Sequence, residues 1–303
     1  EISAVAELTR IFEKFVPREF LDRIAKTGIE NITLGHAESD VITILFSDIR
    51  SFTDISESME PAELMQFLNT FLQFMSEPIH LNHGFVDKFI GDAIMALFDQ
   101  PGKPDAIEAR DAVRSGIEMQ ASLVRFNKLR AKQNYPPTNI GIGVHSGPVV
   151  IGTLGSDTRM DSTVLGDAVN LAARLEGLTK NYRLPMLVSE DSKNLISHLE
   201  EFNWRLLDRI TVKGKSEPVR IFEVFNQYSD KNYENKLKAA SVFEEAMTPY
   251  LNQNWELAIE GFKECEELLP EDASIEMHLM RAHSYQETPP TEDWDGVHRY
   301  FSK

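Results

Sequence analysis

Two aspartates stand at the ends of apolar runs. Asp48 closes Val41-Ile42-Thr43-Ile44-Leu45-Phe46-Ser47, and Asp92 opens Ala93-Ile94-Met95-Ala96-Leu97-Phe98. Carboxylates at strand ends sit beside loop tips, where they can hold metal ions. If the first strand lies next to the second, the two come within a few ångströms, and ionised carboxylates there repel by about 4 kcal/mol at an effective dielectric of 20. Protonation or a cation relieves that cost. Hard cations such as Mg²⁺, bound by one or two carboxylates plus substrate phosphates, suit the pair better than zinc, because no His/Cys cluster accompanies it. Taken singly, each residue also fits an ordinary Gly-Asp turn or a solvated acid.

The elements that must position them follow from periodicity. The run 41–47 is β-branched and aromatic, a buried-strand pattern, and Phe85-Val86-Asp87-Lys88-Phe89-Ile90 leads through Gly91-Asp92 into the second run as a β-hairpin. Helices are expected near 61–77, with Pro61 in the first turn, near 104–131 and near 166–180. Strands are expected near 138–154, and further strands with a terminal hairpin run on to about 226. The class is α+β. Upstream, residues 5–26 carry helix-like apolar spacing (Ile11, Phe12, Phe15, Phe20, Leu21, Ile24) interrupted at Pro17. From about 232 the chain turns helical and Glu-rich, with Tyr250, Trp255, Ala258, Phe262 and Pro270 spaced much like one tetratricopeptide repeat. Such repeats need about three copies for stability, so the tail is expected to pack on the preceding domain, with Trp255 and Phe262 in its core.

At 303 residues, 42% of them hydrophobic, the chain suits one or two domains with a sizeable core. A formal charge of −17 argues against a nucleic-acid partner. It also means that any anionic ligand would be drawn in by metal and a few local cations. The single cysteine, Cys265, excludes an internal disulfide and fits a reducing compartment. No apolar stretch approaches 18 residues and no signal peptide is visible, so a soluble, cytoplasmic chain is expected. The first residues, Glu1-Ile2-Ser3-Ala4-Val5, read as already inside a helix, as in a piece of a longer protein.

Five ordered segments resemble class III nucleotide cyclases. Phe46-Ser47-Asp48-Ile49-Arg50-Ser51-Phe52-Thr53 and Asp87-Lys88-Phe89-Ile90-Gly91-Asp92 resemble the family's metal-binding segments. Gly141-Ile142-Gly143-Val144-His145-Ser146-Gly147 is similar to its central strand and turn, Asp167-Ala168-Val169-Asn170-Leu171-Ala172-Ala173-Arg174-Leu175 to its catalytic helix, and Val212-Lys213-Gly214-Lys215 to its phosphate-side hairpin. The resemblance runs from about 12 to 226. It implies a ferredoxin-like βαββαβ core with extra elements. It also implies three parts: a linking segment over 1–35 that receives a signal from an upstream sensor, a catalytic domain over 36–228, and the helical tail over 232–303.

The implied activity is cyclisation of ATP to 3′,5′-cyclic AMP with release of pyrophosphate. Two divalent cations, Mg²⁺ or Mn²⁺, are then held by Asp48, Asp92 and the carbonyl of Ile49. Asn170 and Arg174 lie one turn apart, opposite the apolar face Ala168, Leu171, Ala172, Leu175 and Leu178. In the family the matching amide serves the ribose side and the guanidinium the transition-state phosphate, a task suited to a planar, always charged fork. The resemblance makes Lys88 and Thr163 the adenine-reading pair and Lys213 a ligand of the terminal phosphates. One departure stands out: many members carry arginine where this chain has Gly141, which removes a phosphate cation and is expected to raise the Michaelis constant. Because family members take the metals from one subunit and the base-reading and transition-state residues from the other, a head-to-tail homodimer with two equivalent sites is implied. The alternative is a catalytically silent nucleotide-binding or scaffold module. The Gly-Gly-Asp/Glu signature of a diguanylate cyclase is absent around Asp92, and no P-loop sequence is present.

Overall fold

The computed structural model describes residues 7, 17–24, 34–35, 37–156, 158–211, 218–226, 232–291 and 293–297. Contacts divide the chain into two compact units, 1–176 and 177–303.

In the first unit, α1 (Arg18–Ile24) precedes β1 (Ala37–Ile49), α2 (Phe52–Glu57), α3 (Pro61–Leu81), β2 (Phe85–Ile90), β3 (Ala93–Phe98), α4 (Asp105–Lys132), β4 (Ile140–Ser156), β5 (Arg159–Leu165) and the start of α5 (Asp167–Tyr182). The strands run in the order β2-β3-β1-β4, with β5 beside β4, and every pairing among them is antiparallel. The sequence β1-α3-β2-β3-α4-β4 with that order is the ferredoxin-like βαββαβ arrangement.

β1 lies between β3 and β4, which is why its apolar run is continuous and not alternating: Ile42 through Ser47 are all buried. Ile42, Ile44 and Phe46 share one core with Phe20 of α1, Met95 of β3, and Ala168 and Ala172 of α5. Thr43, Leu45 and Ser47 point to the opposite face. α3 and α4 pack on each other and α4 packs on β1, β3 and β4. Their contact is aromatic, with Phe126 at 5.6 Å from both Phe71 and Phe74, and the fully buried rings, Phe71 and Phe126, each contribute roughly 1.5–3 kcal/mol. Pro61 occupies the first turn of α3, where its missing N–H has no intrahelical partner to lose.

The second unit holds the end of α5, β6 (Met186–Ser189), α6 (Glu190–Ile196), a 3₁₀ turn (Ser197–Leu199), β7 (Asn203–Ile210), β8 (Val219–Phe225), α7 (Tyr233–Leu251), α8 (Trp255–Leu268) and α9 (Ala273–Glu287). β8 pairs with β6 and β7. The tail helices share a core with Leu206 and Phe222 of that hairpin, and Trp255, Phe262 and Cys265 lie within it. Buried charges join tail and hairpin. Arg205 pairs with Glu223 and Asp272, each at 2.7 Å, and Asp208 accepts hydrogen bonds from Tyr182 at 2.7 Å and Arg281 at 2.8 Å. Burial pushes the Asp208 carboxyl up, but His278 and Arg281 beside it outweigh this and hold it below its ordinary value. No described helix is long and apolar enough to cross a membrane.

Candidate active site

The antiparallel register of β1 and β3 pairs Ser47 with Ile94. Continued by two residues, it sets Ile49 beside Asp92 at the hairpin tip, where Gly91 takes φ +65°, a backbone that glycine adopts without strain. The Ile49 amide consequently donates to both aspartates, to Asp48 Oδ1 at 3.0 Å and to Asp92 Oδ2 at 3.2 Å. Burial, and then the hydrogen bond and charge of Asp48, push the Asp92 carboxyl up to about 7, against the pull of the backbone N–H bonds. The two acids crowd each other, and a proton is one means of relief.

A cation is the other. The donors are all oxygen, the chemistry of Mg²⁺ or Mn²⁺. Among the described residues, no group of three or more His, Cys, Asp or Glu side chains has metal-holding geometry. Backbone carbonyls, water and substrate are the other oxygen donors an ion on Asp48 and Asp92 could use.

Asn170 and Arg174 are exposed on α5, whose Ala168, Leu171, Ala172 and Leu175 are buried beneath them. The helix rests on β4 at Gly143. Among the described residues, no hydrogen bond or ion pair joins Asn170 or Arg174 to the aspartates. Arg50, following the Asp48 strand, lies 3.7 Å from Glu176 of α5, and burial lowers its pKa. Gly141 faces Asp48 directly across the β1–β4 ladder, so the position that carries arginine in many members borders the metal-side acid.

Lys88 lies on β2 and Thr163 on β5, opposite Gly152 of β4. Strands β3, β1 and β4 intervene between them in the sheet order. A cavity of about 650 Å³ opens beside Lys88, lined also by His80, Asp87 and Phe89. Lys213, with Val212, Gly214 and Lys215, falls outside the described residues, as does most of the 1–35 segment. Sequence reasoning passed over Asp87 and Glu176; the only signal for either was an acid lying next to, or two residues from, a residue already singled out.

The "Adenylate and Guanylate cyclase catalytic domain" family matches residues 34–225. The chain is 48% identical to the adenylate cyclase of Anabaena cylindrica over 218 residues, 70% of this chain and 42% of that protein. It is 39% identical to the terminal-differentiation-specific adenylate cyclase of Dictyostelium discoideum over 281 residues, 92% of this chain and 13% of that protein. Among solved structures, the adenylyl cyclase CyaB of P. aeruginosa superposes with a TM-score of 0.58 at 35% identity, covering 64% of this chain and 98% of the other. Fold, ordered motifs and these likenesses define a nucleotide cyclase catalytic domain. The chain belongs to the adenylate and guanylate cyclase family, and it spans less than half the length of those two curated relatives.

Proposed function

We propose that this chain converts ATP to 3′,5′-cyclic AMP and pyrophosphate as a head-to-tail homodimer, and serves as the output domain of a larger signalling protein. The observation that carries the reading is the convergence of Asp48 and Asp92 on the Ile49 amide. ATP as substrate is supported by the two relatives named adenylate cyclase and by Lys88 and Thr163, since guanylate-selective members tend to carry Glu and Cys there. Asp48, Asp92 and the Ile49 carbonyl would hold two Mg²⁺ or Mn²⁺ ions, which would supply Lewis acidity to the substrate hydroxyl and neutralise phosphate charge. Arg174 binds the phosphate in the transition state, Asn170 orients the ribose, and Lys213 takes the terminal phosphates.

The dimer is supported by a single set of motifs per chain and by exposed apolar side chains near them: Phe89 and Ile90 on one hairpin, Leu154, Met160 and Leu165 on the other. The family match over 34–225 supports a catalytic domain over 36–228; on this reading 1–35 relays a signal from an upstream sensor and 232–303 forms the helical tail. A cytoplasmic location accords with the acidic, single-cysteine composition.

The test is production of cyclic nucleotides from ATP or GTP with Mg²⁺ or Mn²⁺. Cyclic AMP from ATP is expected, reduced about a hundredfold or more by Asp92→Ala. A second reading, a silent nucleotide-binding module, is favoured by Gly141 standing beside Asp48. Absence of product from a sample shown to be dimeric would move the weight to a silent or signal-dependent module.

A further inference from the structure

Asp87 is an acid that this mechanism leaves unused. Side chains of successive strand residues point to opposite faces, so neighbours in a regular strand do not pair. β2 breaks that alternation. Val86 faces Ala96 and Lys88 faces Met95, with the register shifting between them, so that Asp87 is the extra residue of a bulge. There its Oδ2 lies 3.4 Å from Lys88 Nζ. The Asp87 side chain is 1% exposed and that of Lys88 41%. Neither Asp87 oxygen accepts a hydrogen bond among the described residues. Burial raises its pKa, and the Lys88 ammonium opposes the rise. A buried carboxylate without donors is costly, and its retention calls for an explanation.

We propose that Asp87 is a positioning residue for nucleotide-base selection, holding the Lys88 ammonium from the buried side so that its remaining N–H donors face the substrate base. The inference rests on reading Lys88 as the base contact. A lysine head on four rotatable carbons has three donors and no fixed direction. A carboxylate 3.4 Å from the ammonium attracts its charge and limits the directions in which its donors can turn. The ionised pair is also neutral as a whole, so Lys88 offers oriented hydrogen bonds to a base and little net attraction to the triphosphate. The bulge is what makes the arrangement possible, re-aiming two adjacent side chains to one side of the strand.

The test compares Asp87→Asn, Asp87→Ser, Lys88→Gln and the Asp87→Asn/Lys88→Gln double variant by the KM and kcat for ATP, inhibition by GTP as competitor, and thermal unfolding. Asp87→Asn is nearly isosteric, and Asp87→Ser gives the same readout if the amide is not accommodated. Loss of one orienting charge-assisted contact is expected to raise the KM for ATP roughly fivefold and to weaken discrimination against GTP by a similar factor. Turnover should stay within about twofold and Tm should not fall, because no donor to Asp87 is lost. On the Lys88→Gln background, Asp87→Asn should add nothing. Wild-type KM and discrimination in the Asp87 variants, with both altered in Lys88→Gln, would overturn the proposal, as would an equal effect of Asp87→Asn on both backgrounds. If Lys88→Gln itself leaves both unchanged, the reading of Lys88 fails and takes the proposal with it.

Discussion

Gly143 and Ala172 meet with no room for a side chain between them: a Cβ on Gly143 would stand 2.4 Å from the Ala172 carbonyl oxygen and 2.3 Å from the Glu176 amide nitrogen. This contact seats α5 on β4 and so sets the height of Asn170 and Arg174 above the sheet. Both opposing atoms are backbone, so the strain of a substitution has no flexible side chain to absorb it. Gly143→Ala is expected to cost about 1–3 kcal/mol of stability and, because misplacement by 1 Å costs on the order of a hundredfold in rate, to lower kcat far more than it lowers Tm. Unfolding curves and turnover on the same preparation check this.

Asp92 links stability to pH. Its folded value, about 7, lies above the ordinary 3.8, so between those limits the metal-free folded state retains a proton that the unfolded chain has released. Stability from this group is full below about 4 and is lost as pH rises towards 7. Asp92→Asn removes that dependence. The metal-free variant should therefore be more stable than wild type at pH 8, while gaining no thermal shift from Mg²⁺ or Mn²⁺. Metal-dependent Tm measured at pH 6 and pH 8 reads both effects.

Gly141 gives a test that looks for a gain. Residues directly opposed on antiparallel strands point to the same face, with Cβ atoms about 5 Å apart. A side chain at 141 thus emerges next to Asp48. Gly141→Arg is expected to lower the KM for ATP several-fold with little change in kcat, as measured by initial rates over a range of ATP concentrations.

Composite sites predict complementation. Asp92→Ala and Arg174→Ala should each be inactive alone. Mixed in equal amounts and allowed to exchange, they form heterodimers with one intact site, so activity should return to about a quarter of wild type. Recovery that stays at zero in verified heterodimers would place each site within one chain.

The tail is held by ion pairs that have lost their water. Arg281 and Asp208 are both about 3% exposed, and removing one partner leaves a buried charge uncompensated. Arg281→Ala should therefore destabilise by about 3–5 kcal/mol, readable as a lowered denaturant midpoint in chemical unfolding.

Much of this was legible in the sequence, and what was missed has physical reasons. The apolar runs around Asp48 and Asp92 and the Gly91 turn announced strands and hairpin, because short β-branched and aromatic runs bounded by a glycine turn favour strand over helix. β1 nonetheless runs from Ala37, well before the apolar stretch, since its pairing from Ala37 with Gly152 onwards uses backbone bonds that do not depend on side-chain polarity. The short helices α2 and α6 have too few turns to show a period. The bulge at Asp87 leaves no compositional mark, as only the partner strand's register reveals it. Nothing in the sequence marks Arg205, Asp208 and His278 as buried, because their burial depends on partners as far away in sequence as Asp272 and Arg281. Tail residues Trp255 and Phe262 were recognisable as core from helical spacing alone.

The ladder between β1 and β4 is paired at every position from Ala37 with Gly152 to Ile49 with Ile140. At about 3.4 Å per residue that is a strut some 40 Å long, with Asp48 near one end and the segment following α1 feeding the other. Such a member transmits displacement and does not absorb it. In the proposed dimer, a push on the N-terminal side would travel along β1 and β4 towards Asp48, and a control signal arriving there would act by sliding one subunit against its mate.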